Sequence, residues 1–457
     1  MSVTAAGKMA APATGVKVRM VQGLGDCFLL AFPTHGPRPC YVLVDCGVQL
    51  GTAEAADRMK KAAASLAEAT GGKIDVLVAT REHWDHVAGF QQAKEAFDPI
   101  EIGQVWASWT EDPNDPGAQR LRTRRDIAVR ALYEAVQELR QCGEEDSAGS
   151  LESVLGSFGD LGRDGRPAAV QQTMAYLFSR GKPPRYLWPG DRLELPEVDG
   201  ARVYVLGPPG VAPGLAAAEE TTHEAGGAEL KPQSFPFEPY YRVPVDAARR
   251  DPFFQASYFG VAGQPSEHEM AWRQIETEWL TSVSHLTSQL DASANHTGLA
   301  LAVELRPSGK VLLFATGALT DDWHSWHHLQ WPREAPSGDS PITAEELLRH
   351  TVVYEVARRA NQAAVLDSGG LDLMTDPELV VLMPADEARR PAPPLLQSLW
   401  DKARGRVLRT DLGLPPRSSQ LSPGEWKAFE KRCAVTPDYV ELTVAEAAAQ
   451  ARPKKKA

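Results

Sequence analysis

Residues 76–90 read VLVATREHWDHVAGF. Ile74–Ala79, apolar except for Asp75, is a run of strand length, the pattern of a strand covered on both faces. Polar residues then crowd together, and helical spacing resumes over Val87–Phe97. The reading is a buried strand, a tight turn and a helix, with His83, Asp85 and His86 in the turn. A turn at a strand end splays such side chains toward the sheet edge. Imidazoles and carboxylates gathered there are the donors from which a zinc site is made.

Working outward, Val16–Met20 and Cys27–Phe32 read as strands around the Gly-rich turn GLGD, and Tyr41–Cys46 as a third strand that contains Asp45. Thr52–Thr70 is Ala-rich and helical, Val105–Ser108 a short strand, Arg120–Arg140 and Val170–Phe178 helices, and Arg202–Leu206 a strand. Ser266–Leu290 reads as helix. Gly298–Leu305 and Lys310–Thr316 form a hairpin through Pro307-Ser308-Gly309. A loop rich in Trp and His spans 319–332. It is followed by the helix Ala344–His350 and the strands Val352–Val356 and Leu379–Met383. Residues 1–14 are expected to be disordered, 15–395 to form one domain with a surface insertion at 210–265, and 396–457 to form a C-terminal extension with a basic tail. Two batches of strands, each with helices interspersed, suit a four-layer αββα sandwich.

A chain of 457 residues with 43% hydrophobic residues can bury a large core. The net charge of −12 argues against wholesale binding to nucleic acid, although Arg120, Arg122, Arg124 and Arg125 cluster locally. Five cysteines without a C-x-x-C suggest neither a disulfide framework nor a zinc knuckle. No run reaches transmembrane length and no signal-peptide core is visible, so no membrane association and a cytoplasmic location are expected. Neither a Walker A loop nor a G-x-S-x-G elbow occurs.

The 81–86 stretch resembles the H-x-H-x-D-H loop of the metallo-β-lactamase fold. The resemblance extends to its competence-channel (ComEC-like) branch through VQGLGDCFLLAF and YVLVDCG. It continues through Asn295–Leu301 followed by Val311–Gly317, similar to "N-x-x-S-L-V-L … L-L-F-T-G-D-A", and through Tyr354–Asn361, similar to "L-K-V-G-H-H-G-S". These matches come in family order over residues 16–385.

The resemblance implies a zinc-dependent hydrolase, but the ligand positions depart from it. Arg81 stands where the first ligand His belongs, Ala318 where the bridging Asp belongs, and Arg358 and Arg359 where a His-His pair belongs. His83, Asp85 and His86 remain as residual metal ligands, with Asp85 catalytic only if the site is active. The expectation is therefore a pseudoenzyme without a cofactor, in which Arg81 and Arg358 fill the emptied cavity and bond to Asp85 and Asp45. Arg81, Arg358, Arg359 and Asp45 would then favour an anionic ligand, or the cleft would bind a protein partner. The alternative is an active hydrolase of phosphodiesters or esters, mononuclear or rebuilt with zinc on Asp321 or Asp322 and His324. Binding of nucleic acid through the Arg120–Arg125 region is a weaker third idea.

Overall fold

The computed structural model describes residues 7–22, 24–141, 145–162, 165, 167–210, 250, 252, 297–333, 340–356, 365, 370–384 and 393–445. The segment 211–249, most of the remainder of the expected insertion, and the expected helix Ser266–Leu290 lie outside the described residues, as do Arg358 and Arg359.

Two large mixed sheets make the fold. The first contains β1 (Val16–Val21), β2 (Phe28–Phe32), β3 (Cys40–Val44), β4 (Lys73–Ala79), β5 (Glu101–Ser108) and β6 (Arg185–Leu187). The second contains β7 (Arg192–Leu195), β8 (Val198–Gly207), β9 (Ala300–Leu305), β10 (Lys310–Phe314), β13 (Thr351–Glu355), β14 (Val380–Met383) and β15 (Val407–Arg409). β11 (Gln330–Trp331) and β12 (Ile342–Thr343) form a small ribbon. The last strands, β16 (Cys433–Val435) and β17 (Tyr439–Val444), return to the first sheet, whose order is β16-β17-β1-β2-β3-β4-β5-β6. The second sheet runs β15-β14-β13-β10-β9-β8-β7.

The apolar runs of the sequence have a direct explanation in this layering. Val76 and Val78 of β4 face the core between the sheets, while Leu77 and Ala79 face helices. A strand covered on both sides cannot alternate apolar with polar residues. The helices α1 (Ala55–Thr70), α2 (Trp84–Gln92) and α6 (Ala168–Phe178) cover the outer face of the first sheet, with the short α3 (Lys94–Phe97) between them in sequence. The second sheet is covered by Trp323 and Trp326, Leu347 and Leu348, and Leu395 and Leu399, which lie on three later helices. The expected four-layer sandwich is thus present.

A long helical hairpin, α4 (Pro116–Gln141) and α5 (Glu145–Leu155), stands apart with its own apolar cluster. Residues 396–457, read as an extension, supply strands to both sheets. β15 pairs with β14, and β17 pairs along the whole of β1. Arg19 and Glu441 seal that last seam with two hydrogen bonds of 2.9 and 2.8 Å, and Tyr439 stacks on the Arg19 guanidinium. β5 is longer than its apolar half suggested, because Glu101–Gln104 also pair with β4.

Candidate active site

Parallel strands β3 and β4 end side by side, and the chain beyond each end carries the polar residues of the site. Asp45 follows β3 in a left-handed conformation, φ 54°, which Asp tolerates better than most residues. Its carboxylate is buried and fully engaged. Oδ1 accepts the Thr80 amide at 2.8 Å, and Oδ2 accepts the Thr80 hydroxyl at 2.5 Å and meets His86 Nδ1 at 2.7 Å. These bonds fix the imidazole so that Nε2 faces Asp26, whose Oδ2 lies 3.4 Å away. Asp26 comes from the Gly-rich turn between β1 and β2.

Helix α2 begins at Trp84, earlier than the sequence spacing suggested, so Asp85 and His86 belong to its first turn. An acidic residue there is favoured by the helix dipole. His83 precedes the helix, with its ring 6.2 Å from that of His86 and 5.6 Å from Phe158. His83 and Asp85 are buried, but they do not join the close donor group. Among the described residues, only Asp26, Asp45 and His86 bring ligating atoms within 4.8 Å of one another.

The other half of the site belongs to the second sheet. Thr316 follows β10 with φ 45°, a strained conformation for a β-branched residue. Its amide donates to Glu355 Oε2 at 3.1 Å, and its hydroxyl to the Leu299 carbonyl at 2.9 Å. Leu299 N in turn donates to the Thr80 carbonyl at 2.7 Å. The Thr316 carbonyl accepts from Arg81 Nη2. Arg81 therefore reaches from the end of β4 to the end of β10 and ties the two sheets at the site edge. Gly317 makes room for it, since a Cβ there would lie 2.6 Å from Arg81 Nη2.

The electrostatics follow from burial. Burial raises the Asp26 pKa, helped by Asp45 and Asp85 and opposed by His86 and Arg81. Burial also pushes Glu355 well above the usual carboxylate range. Asp26 reinforces that shift, while the Thr316 amide and Arg81 oppose it. For His86, burial and Arg81 disfavour the imidazolium, but Asp45 and Asp26 outweigh them and its pKa is raised. Arg81 is 3% exposed among these carboxylates, so its charge is turned inward.

The donor set can be tested against the zinc that the loop suggests. Two donors on one tetrahedral zinc lie about 3.4 Å apart, which is the separation of His86 Nε2 and Asp26 Oδ2. Asp45 instead holds the far side of the imidazole and the Thr80 hydroxyl. Among the described residues that leaves two donors, where a zinc site uses three or four, and a guanidinium close enough to shift both of them. The described residues do not fit a two-metal centre.

The rebuilt site on the Trp/His loop does not form either. Asp321 and His324 are exposed, and Asp322 accepts the Leu319 amide at 2.8 Å to cap its own helix. Ala318 packs with the apolar cluster outside the second sheet.

On the opposite side of the same loop lies a second buried charge cluster. Glu82 meets Arg125 Nη2 at 2.8 Å and hydrogen-bonds Glu111. Burial and the nearby Glu82 push Glu111 up to about 8, so it holds a proton at neutral pH. Arg122 donates to the carbonyls of Thr110 and Asp112 at 2.7 and 3.0 Å. Two of the four clustered arginines are therefore consumed by the fold and do not present a basic face to nucleic acid.

Asp26, Glu355, Glu111 and Thr316 were not singled out from the sequence. Asp26 looked like turn punctuation, although it directly precedes the β2 apolar run just as Asp45 ends that of β3.

Residues 23–215 match the family model of the Metallo-beta-lactamase superfamily, and the two-sheet αββα architecture is the fold of that superfamily. The match covers Asp26, Asp45 and the 81–86 loop, and stops short of Thr316 and Glu355. No curated protein matches the chain. No helix among the described residues is long and apolar enough to cross a membrane.

Proposed function

We propose that this chain is a metal-independent protein on the metallo-β-lactamase fold, a pseudoenzyme that binds a partner in place of hydrolysing a substrate. The observation that carries this reading is Arg81, buried at the first position of the loop and bonded across the sheets to the Thr316 carbonyl. A guanidinium keeps its charge at any working pH. It supplies permanently the positive charge that Asp26 would otherwise draw from a cation. Because that charge is balanced inside, partner binding in this reading does not run through Arg81.

The second reading is a mononuclear hydrolase of phosphodiesters or esters. It is favoured by the 3.4 Å separation of His86 Nε2 and Asp26 Oδ2.

Elemental analysis of protein purified without a chelator or a histidine tag separates the two. The pseudoenzyme reading expects zinc, manganese and iron far below one equivalent, and no rise in thermal midpoint on adding zinc. Arg81→His restores a donor and is expected to gain zinc. One equivalent in the unaltered protein, lost in both Asp26→Asn and His86→Ala, would overturn the reading and justify a phosphodiesterase and esterase screen.

A further inference from the structure

The α4–α5 hairpin is attached to the rest of the molecule in an unusual way. Val129, Leu132, Val136 and Leu139 of α4 pack on Ala148, Leu151 and Leu155 of α5, an apolar cluster separate from the cores of both sheets. A unit with its own core keeps its structure when its outer contacts are lost. Its outer contacts include several polar ones, and a polar interface is the kind that permits relative motion. Arg125 bonds Glu82, Arg122 holds the carbonyls of Thr110 and Asp112, and Gln171 Nε2 donates to Asp126 at 3.3 Å. At the far end Phe158 stands edge-on to His83, and Gly159, φ 73°, packs where a Cβ would come 2.7 Å from the Trp84 ring. Glu82, His83 and Trp84 are each 5% exposed beneath this unit.

We propose that the α4–α5 hairpin is a hinged cover over residues 82–84, latched by the Arg125–Glu82 ion pair, and that its release uncovers these residues. The device goes beyond the metal-independent reading and does not need it, because the latch lies on the other side of the loop from His86 and Asp26. Ionic latches suit this role. Losing one partner of a buried ion pair leaves an uncompensated charge and is strongly destabilising, so the contact has two distinct states.

Hydrogen–deuterium exchange on the full chain, with and without Arg125→Met, tests the cover. The expected result is exchange at least about tenfold faster over 82–84, which the cover shields, with the interiors of α4 and α5 and with β3, β4, β9 and β10 unchanged. In the same variant His83 is expected to become reactive to diethyl pyrocarbonate, while His86, buried against Asp45 and Asp26, stays protected. Faster exchange in both sheets together would make Arg125 a general stabiliser and overturn the proposal, as would no change over 82–84. If Arg125→Met does not fold, Phe158→Ala probes the same cover from its other end and must give the same pattern. An effect confined to the immediate neighbours of residue 158 would overturn it.

Discussion

Arg81 and Glu82 are adjacent in the chain, yet they enter two different buried charge clusters. Arg81 points between the sheets, where it meets the Thr316 carbonyl and the fields of Asp26 and Glu355. Glu82 points outward under a helical hairpin, where it meets Arg125 and Glu111. Each cluster sets an arginine against more than one carboxyl group, and in each a carboxyl is driven toward its neutral form. The difference lies in what they join. The first cluster joins the two halves of the sandwich, and the second joins a peripheral unit to its surface. Similar chemistry therefore has a global consequence in one place and a local one in the other.

The largest test of that contrast is Arg81→Met. Urea denaturation is expected to show a loss of about 3 kcal/mol, the lower end of the cost of breaking a buried ion pair, because Glu355 can keep its proton instead. A loss below 1 kcal/mol would mean that the sheets do not depend on this bridge. Gly317→Ala comes next, since it crowds the guanidinium and forces a side chain into a left-handed conformation. A cost of about 1–3 kcal/mol is expected in the same measurement.

Glu111→Gln sharpens the other side of the comparison. Glu111 has a folded pKa of about 8 against an ordinary 4.5. The folded state therefore holds a proton that the unfolded state has released. Its contribution to stability is fully present below about 4.5 and is lost as pH rises through about 8. The Gln variant should flatten the fall of stability over that range by up to about 1.4 kcal/mol per pH unit. An unchanged slope would remove Glu111 as its source. The smallest effect is expected from His324→Ala. An exposed residue outside both clusters should change stability by less than about 0.5 kcal/mol and leave metal content untouched.

The contrast also explains what the sequence could reveal. β1 to β4 were legible because apolar runs bounded by turn residues leave little choice, and the 81–86 loop was legible from its spacing. Asp45 and His86 could be named as site residues because the resemblance to the family pattern pointed to both. Glu355 could not, because it is the terminal residue of β13, inside a run that reads as core. Thr316 could not, because its role depends on a backbone conformation. The hairpin was half seen, since α4 has clear helical spacing, while α5 is 11 residues of mixed composition. Glu111 gains its raised pKa only when folding buries it beside Glu82, against the opposing charge of Arg125, an event with no local signature.

The seam between β1 and β17 has a consequence for how the molecule is made. Arg19 and its partner Glu441 are separated by 422 positions. At about 5–20 residues per second, a ribosome takes on the order of 20–85 seconds to bring the second into existence after the first. Throughout that interval the outer edge of β1 has no native neighbour, while its other edge can already pair with β2. An apolar strand with one unpaired edge is a template for pairing with other chains. The nascent protein thus passes through a vulnerable period set by the position of β17.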